Sequence, residues 1–291
     1  MISGSYTALI TPFSNGELDE QALRNLVELQ VQEGTVGLIP VGTTGEACTL
    51  SYEEHKRVVA VVVEQCGNRA QVIAGAGSNN PVEALEFAQY AQTVGADAVL
   101  CVAGYYNRPN QQGLYEHFKV IHDNTDIDMY IYNIPPRAIV DIQPTTMQRL
   151  SLLPRVIGVK DATGDLNRIN EERMLIGSEF SFLSGEDMTA LGYRAMGGNG
   201  CISVTANVAP KLCAQMQNYC AQGDYGRAFE IHQRLLPLHK ALFLEPSPAG
   251  VKYAASLLGI CQAQVRLPII EVSLETQKAI QSAMQQLELI V

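Results

Sequence analysis

The chain has 291 residues, 47% of them hydrophobic and 17% charged, with a formal net charge of −10 at pH 7. That composition describes a globular protein with a substantial core, and the length suits a single α/β barrel. The acidic balance argues against nucleic acid or an anionic membrane surface as a partner.

Seven scattered cysteines (Cys48, Cys66, Cys101, Cys201, Cys213, Cys220, Cys261) form no C-x-x-C pair, so they read as reduced core residues. The five histidines make no H-E-x-x-H or comparable ligand set, and no metal is expected. The opening residues, Met1 to Tyr6, carry no basic region, and the apolar runs after them are short. Neither a signal peptide nor a membrane span is expected, which points to a cytoplasmic protein.

Apolar strand patterns recur at 6–10, 36–41, 71–74, 98–102, 129–134, 156–160, 180–183 and 200–204, eight in all. Helical patterns with recognisable ends lie between most of them. Asp19 can cap a helix carrying Leu23, Leu26 and Val27, and Ser51 with Glu54 has capping-box spacing. Asn80-Pro81 opens another, which stops before Gly95; Leu114, Phe118 and Ile121 mark the next. Shorter helices follow around Met147 and Leu150, Leu166 and Ile169, and Leu191 and Met196. From residue 209 the strand signal ceases, and 208–220, 225–244, 249–258 and 273–287 read as helices, the second kinked at Pro237.

Strands alternating with helices call for a parallel sheet, and eight such units close naturally into a ring. A doubly wound open sheet is the rival, but Thr11-Pro12-Phe13 follows the first strand where a Gly-rich turn would be expected. The expected architecture is a (β/α)8 TIM barrel over residues 1–208 with a C-terminal helical extension over 209–291.

Function in such a barrel collects at the carboxyl ends of its strands. The sixth strand pattern, Val156-Ile157-Gly158-Val159, ends in Lys160-Asp161. Strict alternation puts Ile157 and Val159 on one face, and Val156, Gly158 and Lys160 on the other, with room at Gly158 beneath the lysine stem. Lys160 is either a surface lysine opening a loop or an amine held in a dry site as a nucleophile. Burial can lower a lysine from its usual ~10.4 far enough for the second.

The other strand ends widen the pattern. Gly42-Thr43-Thr44-Gly45-Glu46 is either an ordinary βα turn or a cradle whose backbone N–H groups and hydroxyls hold a small carboxylate or phosphate. Gly104-Tyr105-Tyr106-Asn107-Arg108-Pro109 follows strand four. Tyr130 and Tyr132 share a face of strand five, and Arg137 lies in the loop above them. Ser184-Gly185-Glu186-Asp187 ends strand seven, where an acidic pair is more often a helix N-terminal charge than an acid–base couple.

In this order and spacing, G-T-T-G-E, Y-Y-N-R-P, Y-N-I-P-x-R and G-V-K-D-A resemble the dihydrodipicolinate synthases, of the pyruvate-dependent class I aldolase/lyase family. The likeness runs through Ser203-Val204-Thr205-Ala206-Asn207 and Glu245-Pro246-Ser247-Pro248. It implies that Lys160 forms a Schiff base with pyruvate, and that the resulting enamine attacks L-aspartate 4-semialdehyde to give 4-hydroxy-tetrahydrodipicolinate. No cofactor is implied beyond that covalent substrate. By the same resemblance, Tyr132 moves protons to and from the amine, and Thr44 and Tyr106 link it to solvent, Tyr106 reaching in from a neighbouring subunit. Thr43 and Thr44 hold the pyruvate carboxylate, Gly185 and the Ile202 carbonyl line the site, and Arg137 receives the semialdehyde carboxylate. His55, Asn79, Glu83 and Tyr105 match an allosteric L-lysine site, although capping and the helix dipole also account for Asn79 and Glu83. A homotetramer built from tight dimers is implied.

Pro136 and Ala138-Ile139 depart from the pattern around Arg137, as does Ser247. Sister aldolases for N-acetylneuraminate and keto-deoxy sugar acids share the lysine and Tyr132 but lack the arginine and the paired tyrosines. A non-catalytic pyruvate- or amino-acid-binding protein on the same fold is the rival of another class.

Overall fold

The computed structural model describes residues 3–291. Eight parallel strands close into a barrel: Gly4–Ala8, Gly37–Ile39, Gln71–Gly75, Ala98–Val102, Asp128–Asn133, Val156–Asp161, Ser181–Ser184 and Gly200–Ser203. They stand in sequence order around the ring, and the eighth pairs with the first from Gly4 opposite Gly200 to Thr7 opposite Ser203. Every expected strand is present. The architecture is the (β/α)8 barrel with further helices at its C-terminus.

Helix starts follow the caps written in the sequence. The Asp19 carboxylate accepts from the Ala22 N–H at 3.0 Å, and both halves of the Ser51–Glu54 capping box form. Asn80 caps Pro81–Val94, whose end at Gly95 is left-handed. A short hairpin, Phe13–Ser14 with Glu17–Leu18, was not among the expected elements. Its signal was available, since Asn15-Gly16 takes positive φ at both positions, as a tight hairpin turn requires.

Two hydrophobic layers hold the barrel. A small inner one contains Tyr6, Ile39, Leu100, Tyr130, Leu183 and Ile202. A much larger outer one lies between strands and helices, where Phe118, Ile131 and Phe182 are wholly buried. Helix Pro210–Ala221 packs on the first and eighth strands and so completes the helical ring. Tyr225–Ala241, Ala249–Leu257 and Leu274–Gln286 stack beyond it, and the helix containing Pro237 continues unbroken to Ala241.

Candidate active site

Lys160 and Tyr132 are direct partners in the register between the fifth and sixth strands. Partnered residues of parallel strands project to one side, so both side chains enter the barrel. The Lys160 Nζ lies 4.2 Å from the centroid of the Tyr132 ring, and only 6% of the lysine is exposed. Of the two readings of this residue, the solvated loop lysine does not fit that burial. Asn133 and Asp161, the next pair in register, face away from the interior.

The strand carrying Lys160 is not regular. The register slips between Met129 and Tyr130, whose partners are Val156 and Gly158, leaving Ile157 as an extra residue. A bulge re-aims side chains. Val156 accordingly packs with Val159 in the outer layer, while Ile157 packs against the inner one, the reverse of strict alternation for those two. The room at Gly158 is also taken. A Cβ there would stand 2.5 Å from the Tyr130 ring, so the lysine stem rests above a packed tyrosine and not above open space.

Gly185 closes the other side. A Cβ on it would meet the Ala162 Cβ at 2.9 Å and the Lys160 Cε at 3.0 Å. Its N–H donates to the Asp161 carbonyl at 2.6 Å, which ties the seventh strand's end to the sixth. Ile202 is buried in the same inner layer as Tyr132. The acidic pair beside Gly185 is structural. Glu186 accepts from the Met188 N–H, and Asp187 accepts from the Ser203 hydroxyl and from the N–H groups of Val204 and Thr205.

The Gly42–Glu46 segment folds back on itself, with the N–H groups of Gly45 and Ala47 donating to the Gly42 carbonyl. It begins at Val41, a buried β-branched residue held at a φ of 51°. That is a costly conformation, and such outliers gather at functional sites. Gly75 allows it, because a Cβ at that position would lie 2.3 Å from the Val41 carbonyl oxygen.

At its far end the turn is fastened by a contact the sequence reading missed. Glu46 and Lys252 are both buried, and the Lys252 Nζ donates to Glu46 Oε1 at 2.6 Å. The Arg266 N–H donates to Glu46 Oε2 at 2.9 Å, and the Arg266 side chain grips Glu54 with two hydrogen bonds. Both cations lie over the Phe13 ring, at 4.1 and 4.2 Å from its centroid. Burial pulls the Lys252 amine below its ordinary value against the attraction of Glu46.

A cavity of about 370 Å³ opens beside this constellation, with Thr43, Tyr132 and Arg137 on its wall. His55, Glu83 and Tyr105 line the same cavity, so the expected substrate and regulatory groups border one space. The His55 ring stacks on Phe87 at 3.8 Å, and its Nε2 donates to the Gly75 carbonyl at 2.9 Å. Burial pushes this imidazole down to about 4. Hydrogen bonds from Tyr52 and Ser78 hold the Glu83 carboxyl below its usual range. Asn79 does not cap the helix, a role taken by Asn80; its carbonyl accepts from the Asn107 side chain at 2.9 Å.

Thr44, next to Thr43 in the turn, is buried. Tyr106 is 89% exposed, at a φ of 70°, and is not brought to Tyr132. Among the described residues no group of three or more His, Cys, Asp and Glu side chains could hold a metal ion. No helix there is long and apolar enough to cross a membrane.

Residues 1–287 match the family model described as the Dihydrodipicolinate synthetase family. The chain belongs to this family. It is 56% identical, over 98% of both chains, to 4-hydroxy-tetrahydrodipicolinate synthase of Ruegeria pomeroyi. Among solved structures it resembles dihydrodipicolinate synthase of Aquifex aeolicus, with 42% identity, a TM-score of 0.97 and 99% of each chain covered. Family members are also known with small molecules bound. The Acinetobacter baumannii enzyme was solved with pyruvate (36% identity, all of both chains, TM-score 0.97). That of Cyanidioschyzon merolae was solved with lysine (33% identity, 99% of each chain, TM-score 0.96).

Proposed function

We propose that this protein is a lyase that joins pyruvate to L-aspartate 4-semialdehyde, giving 4-hydroxy-tetrahydrodipicolinate for lysine and diaminopimelate biosynthesis. The observation that carries this reading is the buried Lys160 amine lying on the Tyr132 ring, beside a cavity that Thr43 and Arg137 also line. The amine adds to the keto carbon of pyruvate, and the carbinolamine loses water to leave an imine. Loss of a methyl proton then gives an enamine, whose carbon forms the new bond to the aldehyde. The substrate's own amino group attacks the imine carbon, closes the ring and releases Lys160.

Each proton in this sequence needs a carrier, and Tyr132 is next to the amine. Thr43 and Thr44 hold the pyruvate carboxylate, with Gly185 and the Ile202 carbonyl behind it. Arg137, on the cavity wall, takes the carboxylate of the second substrate as a planar bidentate donor. The chemistry runs on the covalent substrate adduct with no cofactor. Thr44 and Tyr106 relay protons between Tyr132 and solvent, Tyr106 doing so in a partner subunit. Its outward projection fits that role, which needs at least a dimer; the assembly proposed is a cytoplasmic homotetramer of tight dimers. L-Lysine binds at His55, Asn79, Glu83 and Tyr105 as a feedback inhibitor; three of these line the cavity, and a relative holds lysine.

Borohydride reduction in the presence of pyruvate tests the central step. A covalent adduct on Lys160, read by mass spectrometry and lost in Lys160→Ala, is expected; its absence in the native chain would refute the mechanism. Tyr132→Phe should lower kcat far more than pyruvate affinity. Turnover with N-acetylneuraminate or a keto-deoxy sugar acid in place of the semialdehyde would reassign the activity to a sister aldolase. Activity unaltered by millimolar L-lysine would remove the feedback role.

A further inference from the structure

Arg137 sits on a one-turn helix, Pro135–Ala138, closed by the Ala138 N–H donating to the Ile134 carbonyl and too short to be stable alone. Two prolines open the turn and remove two N–H donors, and Ile139 ends it at a φ of 65° with its side chain exposed. The segment is nonetheless pinned on both sides. Asn133, fully buried at the end of the fifth strand, donates through Nδ2 to Asp141 Oδ1 at 2.8 Å. Its own Oδ1 accepts from the Ile142 N–H at 3.2 Å. The residues flanking the turn are thereby drawn together into a closed loop.

Arg168, from the helix after the sixth strand, locks that closure. Its Nη1 donates to Asp141 Oδ2 at 2.9 Å, its Nη2 to the Ile142 carbonyl, and its Nε to the buried Glu172 at 3.1 Å. Gln111 adds a bond from its Nε2 to the Asp141 carbonyl at 2.8 Å. None of these residues lines the cavity. The clamp acts on the cavity through the backbone that carries Arg137.

We infer that Asp141 and Arg168 are positioning residues for Arg137, setting affinity for the carboxylate-bearing aldehyde and leaving Schiff-base formation with pyruvate unaffected. The inference rests on the proposed role of Arg137, so the two must be able to fail separately. Asp141 is exposed, so Asp141→Asn and Asp141→Ala are expected to fold. The first keeps an acceptor for Asn133 and loses the charged partner of Arg168, while the second loses both.

Steady-state kinetics in both substrates gives the test. The KM for L-aspartate 4-semialdehyde should rise about tenfold in Asp141→Asn and further in Asp141→Ala, the size expected for one misaligned charge-assisted hydrogen bond. The KM for pyruvate and the yield of borohydride trapping should stay within about twofold. Added to Arg137→Ala, Asp141→Ala should cost little more, because the clamp acts through the missing side chain. Equal rises in both KM values, no rise in either, or fully additive losses would overturn the inference. If Arg137→Ala alone leaves the semialdehyde KM unchanged, the assignment of Arg137 falls instead.

Discussion

Lys160 owes its surroundings to residues that leave little room around it. Tyr130 fills the space under its stem, Tyr132 covers one side, and Gly185 lets the seventh strand approach the other. Of these positions, Gly185 is the one whose added Cβ would meet the lysine itself. A methyl group there would press on the Lys160 Cε and on Ala162, and the lysine is the part that can move. Gly185→Ala should therefore slow borohydride-trappable adduct formation by about a hundredfold, the cost of a small misplacement of a reacting group, in a chain that still folds. Stopped-quench trapping at saturating pyruvate measures it, and an unchanged rate would mean that the amine does not need its present position. That Lys160 ends an apolar strand is readable along the chain. That Gly185 is its neighbour is not, since the contact joins two strands through the curvature of the ring.

Among the elements, the C-terminal helices earn a functional reading through Lys252. Helix Ala249–Leu257 places this lysine against Glu46, the residue that ends the Thr43-Thr44 turn, in a site nearly closed to water. Removing one partner of such a pair strands the other charge. Lys252→Met should cost about 3–5 kcal/mol, and Glu46→Gln in that background should restore part of the loss because the stranded carboxylate is gone. Urea unfolding of the two variants measures both quantities; a loss below about 1 kcal/mol for Lys252→Met would mean the pair contributes little. In the linear sequence Lys252 is one lysine on one more amphipathic helix. Its partner is supplied by the return of the chain to the barrel, which no local pattern encodes.

At the scale of the whole molecule, burial of His55 couples stability to pH. Its folded value of about 4 lies below the 6.5 of an exposed imidazole. Between these values this imidazole binds more protons in the unfolded chain than in the folded one, so its contribution to stability is complete above about pH 6.5 and is lost as the pH drops toward 4. The linkage is on the order of 3 kcal/mol. His55→Gln, whose amide can still donate to the Gly75 carbonyl, should flatten that part of the stability profile in urea melts between pH 4 and 7. An unchanged slope would show that His55 is not the group responsible.

Eight strands, most helix starts and the lysine at a strand's end were determined by the chain's own pattern, because periodicity and caps act between near neighbours in sequence. The Asn15-Gly16 hairpin belongs with them, being locally encoded. Tertiary structure alone decided that Ile157 turns inward at a bulge, that Tyr130 fills the place beneath Lys160, and that Glu46 meets Lys252. It also decided that Arg168 reaches across to the turn bearing Arg137. Those contacts depend on strand register and ring closure, which are set by packing the whole core at once and leave no mark at any single position.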